Sequence, residues 1–275
     1  MYSLNCKGRL LSWNDPITMG VLNLTPDSFY SGSRIRSEEM LISQAEKMLT
    51  EGASILDLGG LSSRPGALEI SVNAELERVV PAVQLLNARF PAAFISVDSY
   101  RYEVAKAALD AGACIINDIG AGNFRSMAEL SAAERVPYIC MHMRGNPGSM
   151  QQLTNYEDIM KELLDFFIKR KTECIRLGIK DIILDPGFGF SKNTNQNFFL
   201  LRNLKMFGIL DLPILVGLSR KATIYKTLGI KPENSLNGTT VMHTLALEQG
   251  AQILRVHDVK EAIETIRLWA SYAKA

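Results

Sequence analysis

The stretch GASILDLGG, residues 52–60, has a pattern that recurs along the chain and from which the fold can be predicted. A glycine precedes a short aliphatic run, which is interrupted by Asp57 and followed by two glycines. A run this short, bounded by turn-forming residues, is typical of a strand buried on both faces. Similar runs follow a glycine or proline along the whole chain, which predicts eight strands. The runs begin at Pro16, Gly52, Pro91, Gly112, Pro137, Gly178, Pro213 and Gly250.

The segments between these runs have the pattern of amphipathic helices. In SEEMLISQAEKMLTEG, residues 37–52, apolar residues recur at helical spacing, and the final glycine suits the position just after a helix. Residues 102–112, 158–178 and 241–250 repeat this design. Strands buried on both faces and separated by helices predict a parallel sheet. Eight such units in 275 residues fit an α/β fold of the (β/α)8 TIM barrel type, which we predict as a single domain over residues 1–275.

An open doubly wound sheet is the alternative architecture. It would be expected to carry a glycine-rich phosphate turn after its first strand, whereas NLTPDS, residues 23–28, follows here. The near match GFGFSK, residues 187–192, lacks the third small residue of that fingerprint. The barrel is therefore the favoured fold.

Composition limits the classes of function. The 30 Lys and Arg residues and 29 Asp and Glu residues give a net charge of +1, so no broad charge indicates a nucleic acid or membrane partner. Residues 1–16 lack the apolar core of a signal peptide, and no run has the length of a membrane span, which favours a cytoplasmic protein. The four cysteines show no zinc-ligand spacing, and we expect them to be reduced and mostly buried.

Polar side chains follow nearly every predicted strand. The C-terminal ends of all strands in a barrel meet on one face, where the active sites of this fold are built. Each residue alone has a simpler explanation, because Asp after a strand often caps the next helix and a single Lys or Arg usually reaches solvent. Together they predict a polar pocket for an anionic, nitrogen-rich ligand. The residues are Asn23, Asp27, Asp57, Asp98, Asn117, Asp118, His142, Asp185, Arg220, Lys221, Arg255 and His257.

Four of these positions indicate the chemistry of the ligand. In ILRVHDV, residues 253–259, Arg255 and His257 are two apart and should share a face, where together they suit a phosphate or diphosphate. The Asp185 carboxylate could accept two parallel N–H groups from an aminopyrimidinone edge, although a turn-forming Asp-Pro-Gly explains this residue about as well. Lys221 follows an apolar strand and a glycine, so reduced solvation and an ordinary surface position both remain open.

The sequence resembles the dihydropteroate synthase family from about Ile17 to Arg267. The blocks that carry the resemblance stand in the family's order: MGVLNLTPDSF, DLGGLSSRPGA, ISVDS, IINDI, MHMRGNPGSMQ, LDPGFGF, GLSRK and NGTTVMHTLALEQGAQILRVHDV. The resemblance implies a (β/α)8 transferase of folate biosynthesis, which joins 6-hydroxymethyl-7,8-dihydropterin diphosphate to 4-aminobenzoate and releases diphosphate. It also implies Mg²⁺ as cofactor, a homodimer, and an enzyme that is a target of sulfonamides.

Roles for individual residues follow from the resemblance, position by position. Asn23 would meet the metal, and Ser63 and Arg64 of LSSRPGA would bind substrate, Ser63 at the diphosphate. Phe190 would form an apolar wall for the aminobenzoate ring, with a core phenylalanine as the competing interpretation. The residues that would hold the pterin are Asp98, Asn117, Asp185 and Lys221, and those that would bind the diphosphate are Arg255 and His257. The residues expected to act in catalysis are Asp98, Lys221, Arg255 and His257.

The implied mechanism is a dissociative displacement. Arg255, His257 and Mg²⁺ would spread the negative charge that builds on the departing diphosphate. A carboxylate at Asp98 would stabilise the electron-poor carbon left behind. The aromatic amine is already neutral at pH 7, so it needs no strong base, and we assign no nucleophilic residue. The loops 23–35 and 61–72 would order over the site and exclude water.

Three positions depart from the family pattern. Ala222 stands where Ser usually follows GLSRK, Leu61 where Glu is usual, and Ser63 where Thr is common. The missing hydroxyl at Ala222 is worth roughly 1 kcal/mol as a net hydrogen bond. These departures affect the aminobenzoate half of the site and the sulfonamide affinity more than the pterin half.

Two other functions remain open. One is the pterin-binding barrel of a methyltransferase that passes a methyl group from methyltetrahydrofolate to a corrinoid protein. Such a barrel shares the pterin pocket but needs no diphosphate site, so Arg255 and His257 favour the synthase. The other is a non-enzymatic paralogue that only binds pterin, with which Ala222 is compatible.

Overall fold

The computed structural model describes residues 1–24, 34–61, 70–120 and 124–275, and these contain ten strands and nine α-helices. The strands are β1 (Tyr2–Cys6), β2 (Arg9–Trp13), β3 (Ile17–Asn23), β4 (Ile55–Gly59), β5 (Phe94–Asp98), β6 (Ile115–Asp118), β7 (Tyr138–Met141), β8 (Ile182–Asp185), β9 (Leu215–Val216) and β10 (Ile253–Val256). The helices are α1 (Arg34–Thr50), α2 (Val72–Arg89), α3 (Tyr102–Ala111), α4 (Phe124–Glu134), α5 (Ile159–Leu177), α6 (Thr194–Arg202), α7 (Ala222–Leu228), α8 (Leu236–Glu248) and α9 (Val259–Ala273).

The eight strands β3 to β10 form one parallel sheet. Its order is β8-β7-β6-β5-β4-β3-β10-β9. A parallel bridge between Leu184 in β8 and Ile214, just before β9, joins the two ends of this sheet. The sheet therefore closes on itself, and the predicted (β/α)8 barrel with its eight strands is confirmed.

The helices cover the outside of the barrel, and the larger part of the core lies between them and the sheet. In α2, Val79, Val83 and Leu86 recur at helical spacing and are fully buried. The helices begin and end where their sequences favour it. For example, the N-cap residue Asp158 of α5 accepts a hydrogen bond from the Lys161 N–H, and Gly178 ends this helix in the left-handed conformation.

A hairpin of β1 and β2 closes the N-terminal end of the barrel. Its turn contains Lys7 and Gly8, both at positive φ, which is the backbone conformation of a tight two-residue hairpin turn. Leu4, Cys6 and Trp13 of the hairpin are buried in one cluster with residues that fill the barrel interior. The repeated strand pattern does not predict this hairpin, because it lies before the first run that the pattern identifies.

Two expectations from composition can be compared with the structure. The four cysteines are buried and free of disulfides, as predicted. Within the described ranges, no helix has the length and apolar character needed to cross a membrane.

Candidate active site

The C-terminal end of the barrel, here called the mouth, contains a buried cluster of charged side chains. Arg255 of β10 donates from Nε to Asp57 Oδ2 of β4 at 2.7 Å and from Nη2 to Asp98 Oδ2 of β5 at 2.6 Å. Asn117 of β6 donates from Nδ2 to the same Asp57 oxygen at 3.1 Å. Four predicted strand-end residues therefore meet directly through hydrogen bonds.

The two-residue period of a strand explains why these side chains face inward. Ile253, two residues before Arg255, and Ile55, two residues before Asp57, belong to the cluster that fills the barrel interior. Ile115 stands in the same relation to Asn117. The strands thus place an apolar layer deep in the barrel and a polar layer directly above it, at the mouth.

Burial changes the protonation of this cluster. Burial raises the pKa of Asp98 to about 7, although the nearby Arg255 guanidinium opposes that shift. For Arg255, burial favours the neutral form, but the Asp57 and Asp98 carboxylates outweigh it and raise its pKa above the ordinary value. The guanidinium is therefore permanently charged, whereas Asp98 changes its charge near neutral pH.

Asp185 ends β8 at a tight turn. Its Oδ1 accepts a hydrogen bond from the Gly187 N–H at 2.8 Å. Gly187 is at positive φ, and a Cβ there would lie 2.1 Å from the carbonyl oxygen of His142, so only glycine fits. Burial raises the pKa of Asp185, and Lys221 opposes this shift. The carboxylate is thus a turn-forming group, as one interpretation of Asp-Pro-Gly predicts, and it is also buried at the strand ends.

Lys221 lies against the loop that follows β8. Its Nζ donates to the carbonyl oxygen of Phe188 and lies 4.5 Å from the centre of the Phe190 ring. Burial lowers the pKa of Lys221 to about 8, which agrees with the reduced solvation considered from the sequence. Phe188 is fully buried, whereas Phe190 is partly exposed and faces the ammonium group. The core position in this loop therefore belongs to Phe188.

Lys192 is a buried charged residue that the sequence does not reveal. It is 3% exposed, and its Nζ lies 3.1 Å from Gly187 O, 3.0 Å from Phe190 O and 3.2 Å from His142 Nδ1. Burial lowers the pKa of Lys192 to about 7, although Asp185 opposes the shift. The amino group donates hydrogen bonds to carbonyl groups of the loop after β8 and so stabilises the segment that contains Phe190.

His257 and Arg255 have different partners. His257 is exposed, its Nδ1 lies 3.0 Å from Ser219 Oγ, and its backbone N–H donates to the same oxygen at 3.2 Å. Arg255 instead points at the carboxylates of β4 and β5. The two ion pairs that Arg255 forms with described residues use its Nε and Nη2.

Three members of the predicted polar ring have partners outside the cluster around Arg255. Tyr138 Oη donates a hydrogen bond to Asp118 Oδ2 at 2.5 Å, in the layer beneath the helices. Asp118 faces outward because adjacent strand residues face opposite sides of the sheet and Asn117 faces the barrel interior. His142 is buried, with its ring against Lys192 and Phe166. Arg220 forms a two-pronged ion pair with Asp258, at 2.8 Å for each contact.

Asn23 ends β3 and belongs to a row of neighbouring strand ends. The strand register pairs Asn23 with Gly59, Gly59 with Asp98, and Asp98 with Asn117. Within the described part of the chain, no group of three or more His, Cys, Asp or Glu side chains could hold a metal alone. A single carboxamide oxygen nevertheless fits Mg²⁺, which keeps several waters and is commonly bound through one or two protein oxygens together with substrate phosphates.

Other predicted residues lie outside the described ranges. These are Asp27, Ser63 and Arg64, together with most of the loops 23–35 and 61–72. Their roles stay predictions from the sequence.

The sequence and the structure of this chain are both similar to those of known proteins. The family profile described as pterin binding enzyme matches residues 19–257. The dihydropteroate synthase of Escherichia coli strain K12 is 42% identical over 267 residues, which cover 96% of this chain and 94% of that protein. The crystal structure of Yersinia pestis dihydropteroate synthase with a sulfonamide drug has a TM-score of 0.91 at 38% identity, with 100% of both chains covered.

A second solved structure carries one of the substrates named above. Xanthomonas albilineans dihydropteroate synthase with 4-aminobenzoic acid has a TM-score of 0.91 at 37% identity, covering 99% of this chain and 98% of that one. Sequence identity at this level, over nearly the full length of each relative, shows membership of a family as well as a shared fold. The chain belongs to the dihydropteroate synthase family of pterin-binding enzymes.

Proposed function

We propose that the mouth of this barrel joins 6-hydroxymethyl-7,8-dihydropterin diphosphate to 4-aminobenzoate, giving 7,8-dihydropteroate and diphosphate. The observation that carries this proposal is the Arg255 guanidinium between the Asp57 and Asp98 carboxylates at the strand ends, in a chain of this family. The Xanthomonas albilineans relative with bound 4-aminobenzoic acid supports the identity of the second substrate.

The pterin ring is assigned to the polar layer of the mouth. An aminopyrimidinone edge presents two parallel N–H donors, and the Asp185 carboxylate is the acceptor that we assign to them. Asn117 contributes a carboxamide beside Asp57, and the Lys221 ammonium is the donor assigned to the ring carbonyl. The buried position of Asp185 strengthens such hydrogen bonds, because little water competes for them.

The diphosphate is assigned to Arg255 and His257. Within the described ranges the ion pairs of Arg255 use Nε and Nη2, so Nη1 is the guanidinium nitrogen that we assign to a diphosphate oxygen. His257 is exposed at the same end of the barrel, and its imidazole is the second donor that we assign to the diphosphate. Mg²⁺ bound at Asn23 would neutralise further charge on the diphosphate.

Asp98 is the residue assigned to the reacting carbon. When the C–O bond breaks, its electron pair leaves with the diphosphate, and the exocyclic carbon of the pterin becomes cationic. An ionised Asp98 stabilises this positive charge, and the Arg255 hydrogen bond holds the carboxylate in place. The amine of 4-aminobenzoate then forms the new C–N bond and loses a proton to solvent.

The aminobenzoate ring is assigned to the face of Phe190. That side chain is partly exposed and lies beside the Lys221 ammonium, which suits an aromatic ring carrying a carboxylate. Ser63 and Arg64 complete the assignment, Ser63 at the diphosphate.

A homodimer in the cytoplasm completes the proposal. The last two helices leave large apolar side chains exposed, namely Val241, Leu245, Leu268 and Tyr272. Apolar surface of this kind often marks a protein interface. Analytical ultracentrifugation should therefore give a dimer for the wild type and a monomer for Leu268→Arg, whereas a monomeric wild type would refute this part.

Steady-state turnover of arginine variants tests the assigned chemistry. Arg255→Lys keeps the charge but loses the fork that binds two carboxylates, so kcat should fall by about 100-fold or more. Arg9→Met is the control, because Arg9 is also partly buried but lies at the opposite end of the barrel, where it binds the carbonyl groups of Pro91 and Ala93. Turnover of Arg255→Lys equal to that of Arg9→Met would contradict the assignment.

A further inference from the structure

Ser219 lies beside His257 because their strands are neighbours. The parallel register pairs Ile253 of β10 with Leu215 of β9, and continuing it beyond the short strand β9 brings Ser219 opposite His257. Ser219 is 5% exposed, and among the described residues its hydroxyl hydrogen-bonds only to His257. One buried hydroxyl thus contacts both the backbone and the ring of one histidine.

The number of available protons determines the direction of the ring hydrogen bond. A serine hydroxyl has one proton to donate and two lone pairs to accept. The backbone N–H of His257 already donates to Ser219 Oγ at 3.2 Å. If Nδ1 also carried a proton and donated, the buried hydroxyl proton would have no acceptor among the described residues, which is costly. The hydroxyl therefore donates to Nδ1, and the proton of the neutral ring is on Nε2.

A second contact fixes the same two segments to each other. Arg220 and Asp258, the residues that follow Ser219 and His257, form two parallel hydrogen bonds of 2.8 Å. Arg220 holds a left-handed backbone conformation with φ of 54°, which is uncommon for a residue other than glycine. This ion pair holds the His257 backbone at a fixed position relative to Ser219.

We propose that Ser219 is a positioning residue that holds His257 in the tautomer with its proton on Nε2, so that the imidazole presents an N–H donor to the departing diphosphate. This inference rests on the proposed function, because it gives His257 the diphosphate as its partner. The ring donates a hydrogen bond as the C–O electron pair moves onto the diphosphate, and no proton is transferred. The other tautomer would turn a lone pair toward an anion, which is repulsive.

The tautomer can be measured directly in the ligand-free protein. The chain has three histidines, so long-range ¹H–¹⁵N correlation spectra of ¹⁵N-histidine-labelled protein are simple, and His257→Asn assigns the signal. At about pH 8.5, above the usual imidazole pKa, His257 should show a protonated Nε2 and an unprotonated Nδ1. Ser219→Ala should give a mixture of both tautomers, and Ser219→Thr, which retains the hydroxyl, should restore the single form.

Turnover provides the second measurement. Ser219→Ala should lower kcat by about tenfold while KM for 4-aminobenzoate stays within about twofold. Ser131→Ala is the matched control, because Ser131 is also buried and donates one hydrogen bond, to Val136 O at 2.7 Å, before β7 begins at the opposite end of the barrel. The control should change neither kcat nor the His257 spectrum.

The outcomes distinguish the positioning role of Ser219 from the proposed synthase function. A proton on Nδ1 in the wild type, or an unchanged His257 spectrum in Ser219→Ala, would overturn the positioning role whatever the activity. Full turnover in His257→Asn would remove the diphosphate as the partner of this ring. A wild type that forms no dihydropteroate would refute the proposed function, whereas the spectra of the ligand-free protein still decide the tautomer.

Discussion

Arg255 Nη2 lies 2.6 Å from Asp98 Oδ2, although two strands separate β10 from β5 in the sheet. The guanidinium thus reaches across the barrel interior and holds the carboxylate that we assign to the reacting carbon. Since burial raises the pKa of Asp98 to about 7, this pair can gain or lose one negative charge near neutral pH. Catalysis should depend on that charge.

The pH dependence of kcat/KM for the dihydropterin diphosphate should be bell-shaped. The rate should rise as the pH increases through about 7, because Asp98 loses its proton there and becomes the carboxylate that stabilises the cation. It should fall as the pH increases through about 8, because Lys221 then loses its charge. Asp98→Asn should lower kcat by about tenfold or more and remove the acidic limb. An acidic limb that persists in this variant would show that another group controls it.

Lys192→Met should change how stability depends on pH. The unfolded chain binds a proton at Lys192 up to the ordinary pKa of 10.5, whereas the folded protein releases it near 7, so unfolding takes up a proton between these values. Wild-type stability should therefore rise relative to Lys192→Met between pH 7 and 9. At pH 9 the variant should be less stable by about 1–3 kcal/mol, because it leaves backbone carbonyl groups without their donor.

Urea unfolding at both pH values measures this difference. Lys171→Met is the control, because Lys171 is partly exposed and also donates to a backbone carbonyl group, that of Leu210, at 2.6 Å. The control gives the effect of removing one lysine hydrogen bond to a carbonyl group. A difference between the wild type and Lys192→Met that does not change with pH would contradict a folded-state pKa of Lys192 near 7.

Ala222→Ser should improve binding of 4-aminobenzoate. Ala222 is the first residue of α7, directly after Lys221, and one added hydrogen bond of about 1 kcal/mol corresponds to a KM about fivefold lower. KM for the dihydropterin diphosphate should not change, nor should either KM in Ala132→Ser, a partly buried position on α4. An unchanged KM for 4-aminobenzoate in Ala222→Ser would exclude a hydroxyl contact at this position.

Asn23→Ala should raise the Mg²⁺ concentration needed for half-maximal turnover several-fold, because the carboxamide oxygen is the protein ligand that we assign to the metal. Asn23→Asp keeps an oxygen at this position and should need no more Mg²⁺ than the wild type. A Mg²⁺ titration that is identical for the wild type and Asn23→Ala would place the metal elsewhere.

The barrel strands could be predicted from the sequence because each is a short apolar run with a glycine or proline before it. The hairpin β1–β2 could not be predicted from that repeat, since it lies before the first run that the repeat identifies. Its one local signal is the Lys7–Gly8 turn, whose glycine accepts positive φ without strain.

The sequence predicts which residues lie at the strand ends, but it does not predict which side chains contact each other there. That Arg255, Asp57, Asp98 and Asn117 meet at one end follows from the fold, but the pairing of Arg255 with two carboxylates depends on side-chain reach across the barrel. The prediction that Asp118 belongs to the polar ring is wrong. Asn117 and Asp118 both lie at the end of β6, and only Asn117 faces the barrel interior. Lys192 and Ser219 act through buried contacts that leave no pattern in the sequence.

The stoichiometry of the wild-type reaction shows whether this protein is a synthase. Purified protein is incubated with 6-hydroxymethyl-7,8-dihydropterin diphosphate, Mg²⁺ and 4-aminobenzoate, and the diphosphate and dihydropteroate formed are both quantified. We expect equal amounts of the two products, with negligible dihydropteroate when 4-aminobenzoate is omitted. Tight binding of the pterin without dihydropteroate formation would contradict it and would identify the barrel as a pterin-binding protein without synthase activity.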